Sequence, residues 1–225
     1  MKKYELTDET MIVDGVTYHR IRACKDFDVQ GYHVKAGDLG GYVESECNID
    51  QDGNAWVGGN AMVSGNAIVS GNAIACGNAI VRGNAWVGGN AMVSGNAIVS
   101  GNAIACGNAI VRGNAIACGN AIVRGNAEVD DYARVSGNAI VRGNAEVHKS
   151  DHIIVIGPIG SRNDYTTFCR GKDNDIIVKC GCFNGNISEF LKKVNETHGD
   201  NKYAAEYRAA AEIAKIHIDL EGEKT

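Results

Sequence analysis

A six-residue repeat fills the middle of this chain and limits its fold more than any other feature. From Gly53 to His148 the sequence divides into sixteen consecutive hexads of the pattern Gly-Asn-Ala-x-Val-x. Fifteen hexads begin Gly-Asn-Ala, and the exception begins at Asp131 with Asp-Tyr-Ala. Within a hexad, Ala and Val stand two residues apart, so on a strand they share one face and the residue between them points to the other.

The Gly-Asn pair in each hexad predicts a corner after every short strand. Gly and Asn are the residues that most readily adopt left-handed backbone angles. If three hexads form one triangular coil, each strand stacks on the strand 18 residues away. Val then lies on Val, and Ala lies on Ala. The repeat therefore predicts a mainly β fold, a parallel β-helix with three hexads per coil. Its shaft would be roughly 25 Å long at ~4.8 Å per strand spacing.

The repeat [Leu/Ile/Val]-x-Gly-Asn-Ala-x resembles that of the hexapeptide-repeat, left-handed β-helix proteins. The segments 20–27 and 35–46, the second with Gly-Asp-Leu-Gly-Gly, resemble the N-terminal cap of repeat proteins encoded by phages and prophages. Segments 156–167, 180–183 and 198–201 resemble a small module that follows such arrays. The resemblance implies a left-handed β-helix at 53–149, an N-terminal β cap at 1–52 and a C-terminal α+β module at 150–225.

Local signals in the two ends predict their secondary structure. In the cap, strands are expected at Met11–Val13 and Val16–Arg22 around an Asp14-Gly15 turn, and Gly37–Gly41 is interpreted as a turn cluster that leads into the shaft. In the module, strands are expected at His152–Ile156, Tyr165–Arg170 and Ile176–Cys182. A helix is expected to start at Ser188 and end before Gly199, and a longer one, capped by Asp200 or Asn201, to run to about Ile218.

Charge and cysteine content exclude several classes of protein. The formal charge of −5 is concentrated in residues 1–52, which hold 6 basic and 11 acidic side chains. No segment has the basic stripe of a duplex-binding surface, so we expect no duplex nucleic acid partner. No apolar run approaches the ~20 residues that span a bilayer, and no secretory signal is visible. The eight cysteines lack disulfide-scaffold spacing. These features predict a cytoplasmic protein without a membrane partner.

The outward positions of the shaft predict self-association. A monomeric shaft would not normally expose a continuous apolar row to water, and the fold resemblance implies cyclic trimers. The outward residues of every third hexad lie on the same face of the shaft. On one of the three faces, the outward residue is apolar in every coil. We predict that this face forms the interface of a homotrimer; its residues are Ile68, Trp86, Ile104, Ile122 and Ile140.

A duplication within the shaft argues for a spacer. Residues 54–83 recur identically as residues 84–113, a block of five hexads. Five is not a multiple of three, so the second copy is rotated onto other faces, and Trp56 and Trp86 are expected on different sheets. A site that required the copied side chains on one surface would not be preserved by this duplication.

Catalysis is the alternative hypothesis. A hexapeptide-repeat acyltransferase needs a His general base near an ejected loop, but the shaft has no insertion and no His before His148. In the module, Cys180 or Cys182 with His198 and Asp200 would be the candidates for a Cys-His-Asp nucleophile. A zinc site from Cys169, Cys180, Cys182 and His198 is disfavoured by the Cys-x-Cys spacing, so no metal or cofactor is predicted.

The module is also where the sequence favours ligand binding. The loop 157–162 could receive a phosphate through backbone N–H groups and Arg162. The candidate ligand-binding residues are Ser161, Arg162, Asp164 and Thr166. The leading hypothesis is a non-enzymatic, trimeric scaffold of phage or prophage type, whose module binds a host component or a small anionic, nucleotide-like ligand.

Overall fold

The structure is a computed structural model that describes residues 2–220. The cap hairpin turns at Asp14-Gly15 as predicted, but its first strand begins at Tyr4 rather than at Met11. Tyr4 is fully buried and donates its O–H to the carbonyl oxygens of Glu46 and Ile49 at 2.7 and 3.0 Å, which anchors the longer strand. The strands of the cap are β1 Tyr4–Val13, β2 Val16–Ala23, β3 Phe27–Val29, β4 Tyr32–Val34 and β5 Leu39–Val43.

Strand β5 corrects the interpretation of Gly37–Gly41 as a turn cluster. Leu39, Gly40 and Gly41 belong to a strand that pairs antiparallel with β2 and parallel with the shaft. The two glycines are needed for close approach: a Cβ on Gly40 would lie 2.5 Å from the Val57 carbonyl oxygen, and one on Gly41 would lie 2.5 Å from that of Ala61.

Each hexad of the shaft forms one short strand. The strands pair in parallel with a register of 18 residues, as in Val63–Val81 and Val87–Ala105, which confirms the prediction of three hexads per coil. The strands are β6 Trp56–Val57, β7 Met62–Val63, β8 Ile68–Val69, β9 Ile74–Ala75, β10 Ile80–Val81, β11 Trp86–Val87, β12 Met92–Val93, β13 Ile98–Val99, β14 Ile104–Gly107, β15 Ile110–Val111, β16 Ile116–Ala117, β17 Ile122–Gly125, β18 Glu128–Val129, β19 Arg134–Val135, β20 Ile140–Val141 and β21 Glu146–Val147.

These strands form three sheets, which are the three faces of the shaft. Sheet A runs β1-β2-β5-β7-β10-β13-β16-β19 and so includes the cap hairpin. Sheet C runs β8-β11-β14-β17-β20, and sheet D runs β6-β9-β12-β15-β18-β21. The predicted interface row lies on sheet C, and Trp56 and Trp86 lie on different sheets, as expected from the duplication.

The corners follow from the Gly-Asn pair. The hexad glycines before Asp131 have φ between 63° and 76°, and Asp131, which replaces glycine in its hexad, has φ 49°. Asp is one of the few residues with a side chain that visit this region. On the outside of each corner, Asn side chains bond to one another every 18 residues, as in Asn84 Nδ2 to Asn102 Oδ1 at 3.0 Å.

The shaft and the cap share one core. The inward Ala and Val side chains of the hexads are buried at 0–1% exposure, and Tyr4, Ile21 and Val43 of the cap pack into the same cluster. The cap therefore continues the shaft and covers its first coil, whose open strands would otherwise be free to pair with another chain.

The module is an antiparallel sheet covered by two helices. It was predicted with three strands and has four, because the chain turns at Gly181 (φ 54°) and returns as a further strand. Phe168, Val178, Phe190 and Ala211 lie in its separate core. Its elements are β22 Ile153–Ile159, β23 Asp164–Arg170, β24 Ile176–Cys180, β25 Phe183–Asn186, α1 Ile187–His198 and α2 Lys202–His217.

The helix caps sharpen the predicted boundaries. Helix α1 is capped by Asn186 rather than beginning at Ser188: Asn186 Oδ1 accepts from Glu189 N–H at 2.9 Å, and Glu189 Oε2 accepts from Asn186 N–H at 3.0 Å. Gly199 ends α1, and Asn201, one of the two predicted caps, accepts from the N–H groups of Tyr203 and Ala204.

The sheet of the module packs on the last coil of the shaft. Ile140 N–H donates to Thr167 Oγ1 at 3.0 Å, and Lys172 N–H donates to the Asn144 carbonyl oxygen at 3.0 Å. Cys169, on the same side of β23 as Thr167, is buried in the shaft core. Neighbouring Phe168 points to the helices, so the sheet has one face toward the shaft and one toward α1 and α2.

Candidate functional site

The principal candidate site is a cavity of about 220 Å³ in the module. We call it the helix cleft, because it lies between the sheet and helices α1 and α2. Five of its residues stand at helical spacing on α1, and the turn before β23 and the strands β24 and β25 close its other side. It is lined by Ser161, Arg162, Cys180, Phe183, Phe190, Lys193, Val194, Thr197, His198 and Tyr207.

The floor of the helix cleft is aromatic. The ring of Phe190 lies 5.5 Å from Phe183 and 5.7 Å from Tyr207, centroid to centroid. His198 lies 5.7 Å from the Tyr207 ring at a tilt of 35°. Burial, followed by the nearby Cys180, raises the pKa of Tyr207 to about 12, so its hydroxyl stays protonated at neutral pH.

The rim of the helix cleft is cationic. Arg162 and Lys193 both line it, and no Asp or Glu is among the lining residues. His198 lines the same cavity. A flat apolar floor with cationic groups at its edge suits a small anion that carries a ring.

Arg162 also holds the thiol of Cys182. Its Nη1 lies 3.5 Å from Cys182 Sγ. This hydrogen bond and the positive charge of Arg162 lower the pKa of Cys182, which is exposed at the turn between β24 and β25. An exposed thiol beside a guanidinium has raised thiolate character.

The structure does not assemble the candidate Cys-His-Asp group. Cys180 and His198 both line the helix cleft, but Asp200 is exposed and pairs with Arg208 at 3.1 Å. The His198 ring contacts Tyr203 and Tyr207 instead of a carboxylate. The third group that would orient the imidazole as a base is therefore engaged elsewhere.

The predicted ligand-binding residues separate into different places. Ser161 and Arg162 line the helix cleft, whereas Asp164 lines a second cavity that faces the shaft. Thr166 is fully buried in β23. In the predicted phosphate loop, Gly160 N–H donates to Glu206 Oε2 at 2.6 Å, so this backbone donor is already occupied. A phosphate at this loop would therefore have to be held by side chains rather than by the Gly160 N–H.

The four residues of the disfavoured zinc site are not brought together. Cys169 lies on the shaft side of the sheet, and Cys180 lies on the helix side, in the cleft. Burial raises the pKa of Cys169 to about 12, which opposes the thiolate form that zinc requires.

A cluster at the end of sheet D was missed by the sequence interpretation. Asp130, Asp131 and His148 each offer a possible metal-ligand atom, and these atoms lie within 4.8 Å of one another. His148 Nδ1 bonds to Asp130, whose other oxygen accepts from Arg112 Nη2 at 3.0 Å. The signal was the hexad that breaks the Gly-Asn-Ala pattern at Asp131. Because Arg112 and His148 already hold the buried carboxylate, this cluster is explained as an ion-pair network.

The predicted interface row is the most exposed of the apolar rows. Ile68 and Trp86 on sheet C are 43% and 41% exposed, while Trp56 and Ile74 on sheet D are buried. The row is not open along its whole length, since Ile122 and Ile140 form one wall of the cavity between shaft and module.

Comparison with known families identifies the repeat. A family model described as a YdcK β-solenoid repeat matches residues 55–71, 85–101, 91–107 and 133–149, all within the shaft. The matched residues lie in the stacked parallel strands, and this part of the chain has the architecture of a β-solenoid. No curated protein matches the chain. Within residues 2–220, neither helix of the module is long and apolar enough to cross a bilayer.

Proposed function

We propose that this protein is a non-enzymatic scaffold of phage or prophage type that acts in the host cytoplasm. In this proposal the shaft holds the module at a fixed distance and associates as a homotrimer through sheet C. The module binds a small anionic, nucleotide-like ligand in the helix cleft. The observation that carries the proposal is the cleft itself, where Arg162, Lys193 and His198 surround an aromatic floor.

The binding proposal is tested with AMP as the probe, because AMP combines one phosphate with a flat base. Isothermal titration of the full chain should give saturable binding. Arg162→Gln and Lys193→Gln should each weaken it about three- to tenfold, the loss expected for a partly exposed charge-assisted hydrogen bond. Lys192→Gln is the matched control, since Lys192 is exposed on α1 but does not line the cleft. Absence of saturable binding, or an equal loss in the control, would refute the proposal.

A thiol-dependent activity is the second candidate, and the Arg162–Cys182 pair is the observation that favours it. Cys182→Ser separates the two candidates. If the cleft is a binding site, AMP affinity should stay unchanged or rise, because Cys182 does not line the cleft and its removal frees Arg162. A function of the protein in its host that disappears in Cys182→Ser while AMP binding persists would favour catalysis.

The trimer is supported by the exposed apolar row on sheet C. Light scattering should give three times the chain mass of 23.8 kDa at micromolar concentration. Ile104→Asp should dissociate the trimer, because it places a charge in the middle of the row. Ile98→Asp is the control, with the same change on sheet A. A monomeric mass for the unmodified protein would contradict the trimer.

A further inference from the structure

A second cavity, of about 360 Å³, lies where the module meets sheet C of the shaft. We call it the junction cleft. Ile122 and Ile140 form its apolar wall on the shaft, and Tyr165 and Lys179 face them from the module. Asn138 also lines it and is the last member of its Asn ladder, accepting from Asn120 Nδ2 at 3.0 Å. The cleft therefore combines apolar walls with polar side chains from both parts of the molecule.

Two arginines lie beside the apolar wall. Arg124 and Arg142 follow Ile122 and Ile140 by two residues, so they lie on the same outward face of the shaft. The pairing of β17 with β20 places them one rung apart, at a spacing of ~4.8 Å. Within residues 2–220, no carboxylate forms an ion pair with either guanidinium, although Arg112 on the neighbouring sheet D has two such partners.

Lys179 brings a third positive charge from the module. Its ammonium donates to the carbonyl oxygen of Gly181 and, at 3.4 Å, to that of Phe183, so the turn after β24 holds it in place. Burial is the main cause that lowers the pKa of Lys179, and the charges of Arg142 and Arg124 lower it further. Lys179 lines the cleft opposite the shaft wall that Arg124 and Arg142 flank, so a bound anion would reduce the repulsion among the three positive charges.

From this arrangement we propose that Arg124, Arg142 and Lys179 bind a diphosphate group at the edge of the junction cleft. Two guanidiniums one rung apart present two donor forks, which match two linked phosphates better than one. Lys179 meets them from the opposite side as a point charge. Asp164, the acidic residue that lines the cleft, lies on the module side and weakens binding by repulsion. The diphosphate belongs either to free pyrophosphate or to a nucleotide whose ring enters the cleft against Tyr165.

The test titrates the full chain with pyrophosphate and with orthophosphate at matched ionic strength. Pyrophosphate should bind at least about tenfold more tightly, because it engages both arginines. Arg124→Gln and Arg142→Gln should each remove most of this preference, while Asp164→Asn should increase the affinity for pyrophosphate a few-fold. ADP distinguishes the two sources, since binding tighter than that of pyrophosphate identifies a nucleotide and weaker binding identifies the free diphosphate.

Two controls make the result specific. Arg82→Gln removes an exposed arginine from a hexad whose outward residue lies on sheet A, and it should leave pyrophosphate binding unchanged. Lys193→Gln should also leave it unchanged, because Lys193 belongs to the helix cleft; failure of AMP to bind there would not affect the junction. Equal affinity for the two phosphates, or an equal loss in Arg82→Gln and Arg142→Gln, would overturn the proposal.

Discussion

The two identical blocks of the shaft, residues 54–83 and 84–113, have the same interior and different surfaces. Their inward Ala and Val side chains are buried to the same extent, at 0–1% exposure. Their outward side chains are not: Trp56 is 8% exposed on sheet D, and its copy Trp86 is 41% exposed on sheet C. A hexad thus determines its own core contacts, whereas its outer environment depends on the face on which it falls.

The cap is what distinguishes the first block from the second. The Phe27 ring packs edge-on against Trp56 at 5.5 Å, and Tyr18 O–H donates to Ser64 Oγ at 3.0 Å. Gln30 Nε2, at the tip of the β3–β4 hairpin, donates to the Asn72 carbonyl oxygen at 2.6 Å. The second block lies beyond most of these contacts, so paired substitutions at equivalent positions measure what the cap contributes.

The largest difference is expected between Trp56→Ala and Trp86→Ala. Loss of the buried Trp56 ring should reduce the free energy of unfolding by about 3–5 kcal/mol, because it leaves a cavity under Phe27. Loss of the half-exposed Trp86 ring should cost about 1 kcal/mol or less. Urea denaturation at one protein concentration, followed by circular dichroism, measures both. Equal losses would mean that the cap does not stabilise the first block.

The second difference concerns Ser64→Ala and Ser94→Ala. Ser64 is buried and accepts from Tyr18, so its removal leaves the Tyr18 hydroxyl without that acceptor and should cost about 1–3 kcal/mol. Ser94 occupies the same place in the second block, on sheet D, and is half-buried. Its substitution should change stability by no more than about 0.5 kcal/mol. Tyr18→Phe with Ser64→Ala should recover part of the loss; a loss that persists in the pair would contradict this explanation.

The shaft could be predicted from the sequence almost rung by rung, since its contacts repeat a local period of six. Strand pairing, the corners and the separation of Trp56 from Trp86 all follow from counting hexads. The cap could not be predicted to this depth. Gly40 and Gly41 look like turn residues locally, and only the distant Val57 and Ala61 carbonyls explain why glycine is required in a strand there.

The helix cleft shows the same limit. Ser161, Arg162, Cys180 and His198 were singled out as polar or nucleophilic residues in the right region. Phe183, Phe190, Lys193 and Tyr207 were not, because they look like ordinary helix and strand residues until the sheet and helices meet. Even so, the helical spacing of 190, 193, 194 and 197 was a usable signal. The junction cleft could not be predicted without the fold, since Lys179 stands 37 residues after Arg142 and 55 residues after Arg124.

A smaller difference is expected in thiol reactivity. Cys76 lines a cavity under the cap with Trp56, and burial raises its pKa, so less thiolate is present at pH 8. Reaction with a disulfide reagent at pH 8 should therefore be about threefold to tenfold slower at Cys76 than at Cys106. Its rate should continue to rise as the pH increases toward that raised pKa.

The two thiols lie in identical 30-residue blocks, and substitution assigns each of them to its phase of the reaction. Cys106→Ser should remove one equivalent of reacting thiol from the faster phase of the reaction. Cys76→Ser should remove one equivalent of reacting thiol from a slower phase. Loss of the same phase in both variants would show that the cap does not shield Cys76.

The smallest difference is expected at the indole of Trp86, whose Nε1–H donates to Ser70 Oγ at 2.8 Å on the exposed face of sheet C. Ser70 stands 16 residues before Trp86. The residue 16 positions before Trp56 is Gly40, which has no side chain that could accept a hydrogen bond. Ser70→Ala should therefore cost about 0.5 kcal/mol or less, and Ser100→Ala, its copy, should cost nothing measurable. A double-mutant cycle with Trp86→Phe isolates the bond itself. A coupling energy of zero would mean that solvent competes fully for the indole N–H. The two blocks would then differ only in their contacts with the cap, and not in contacts within the shaft.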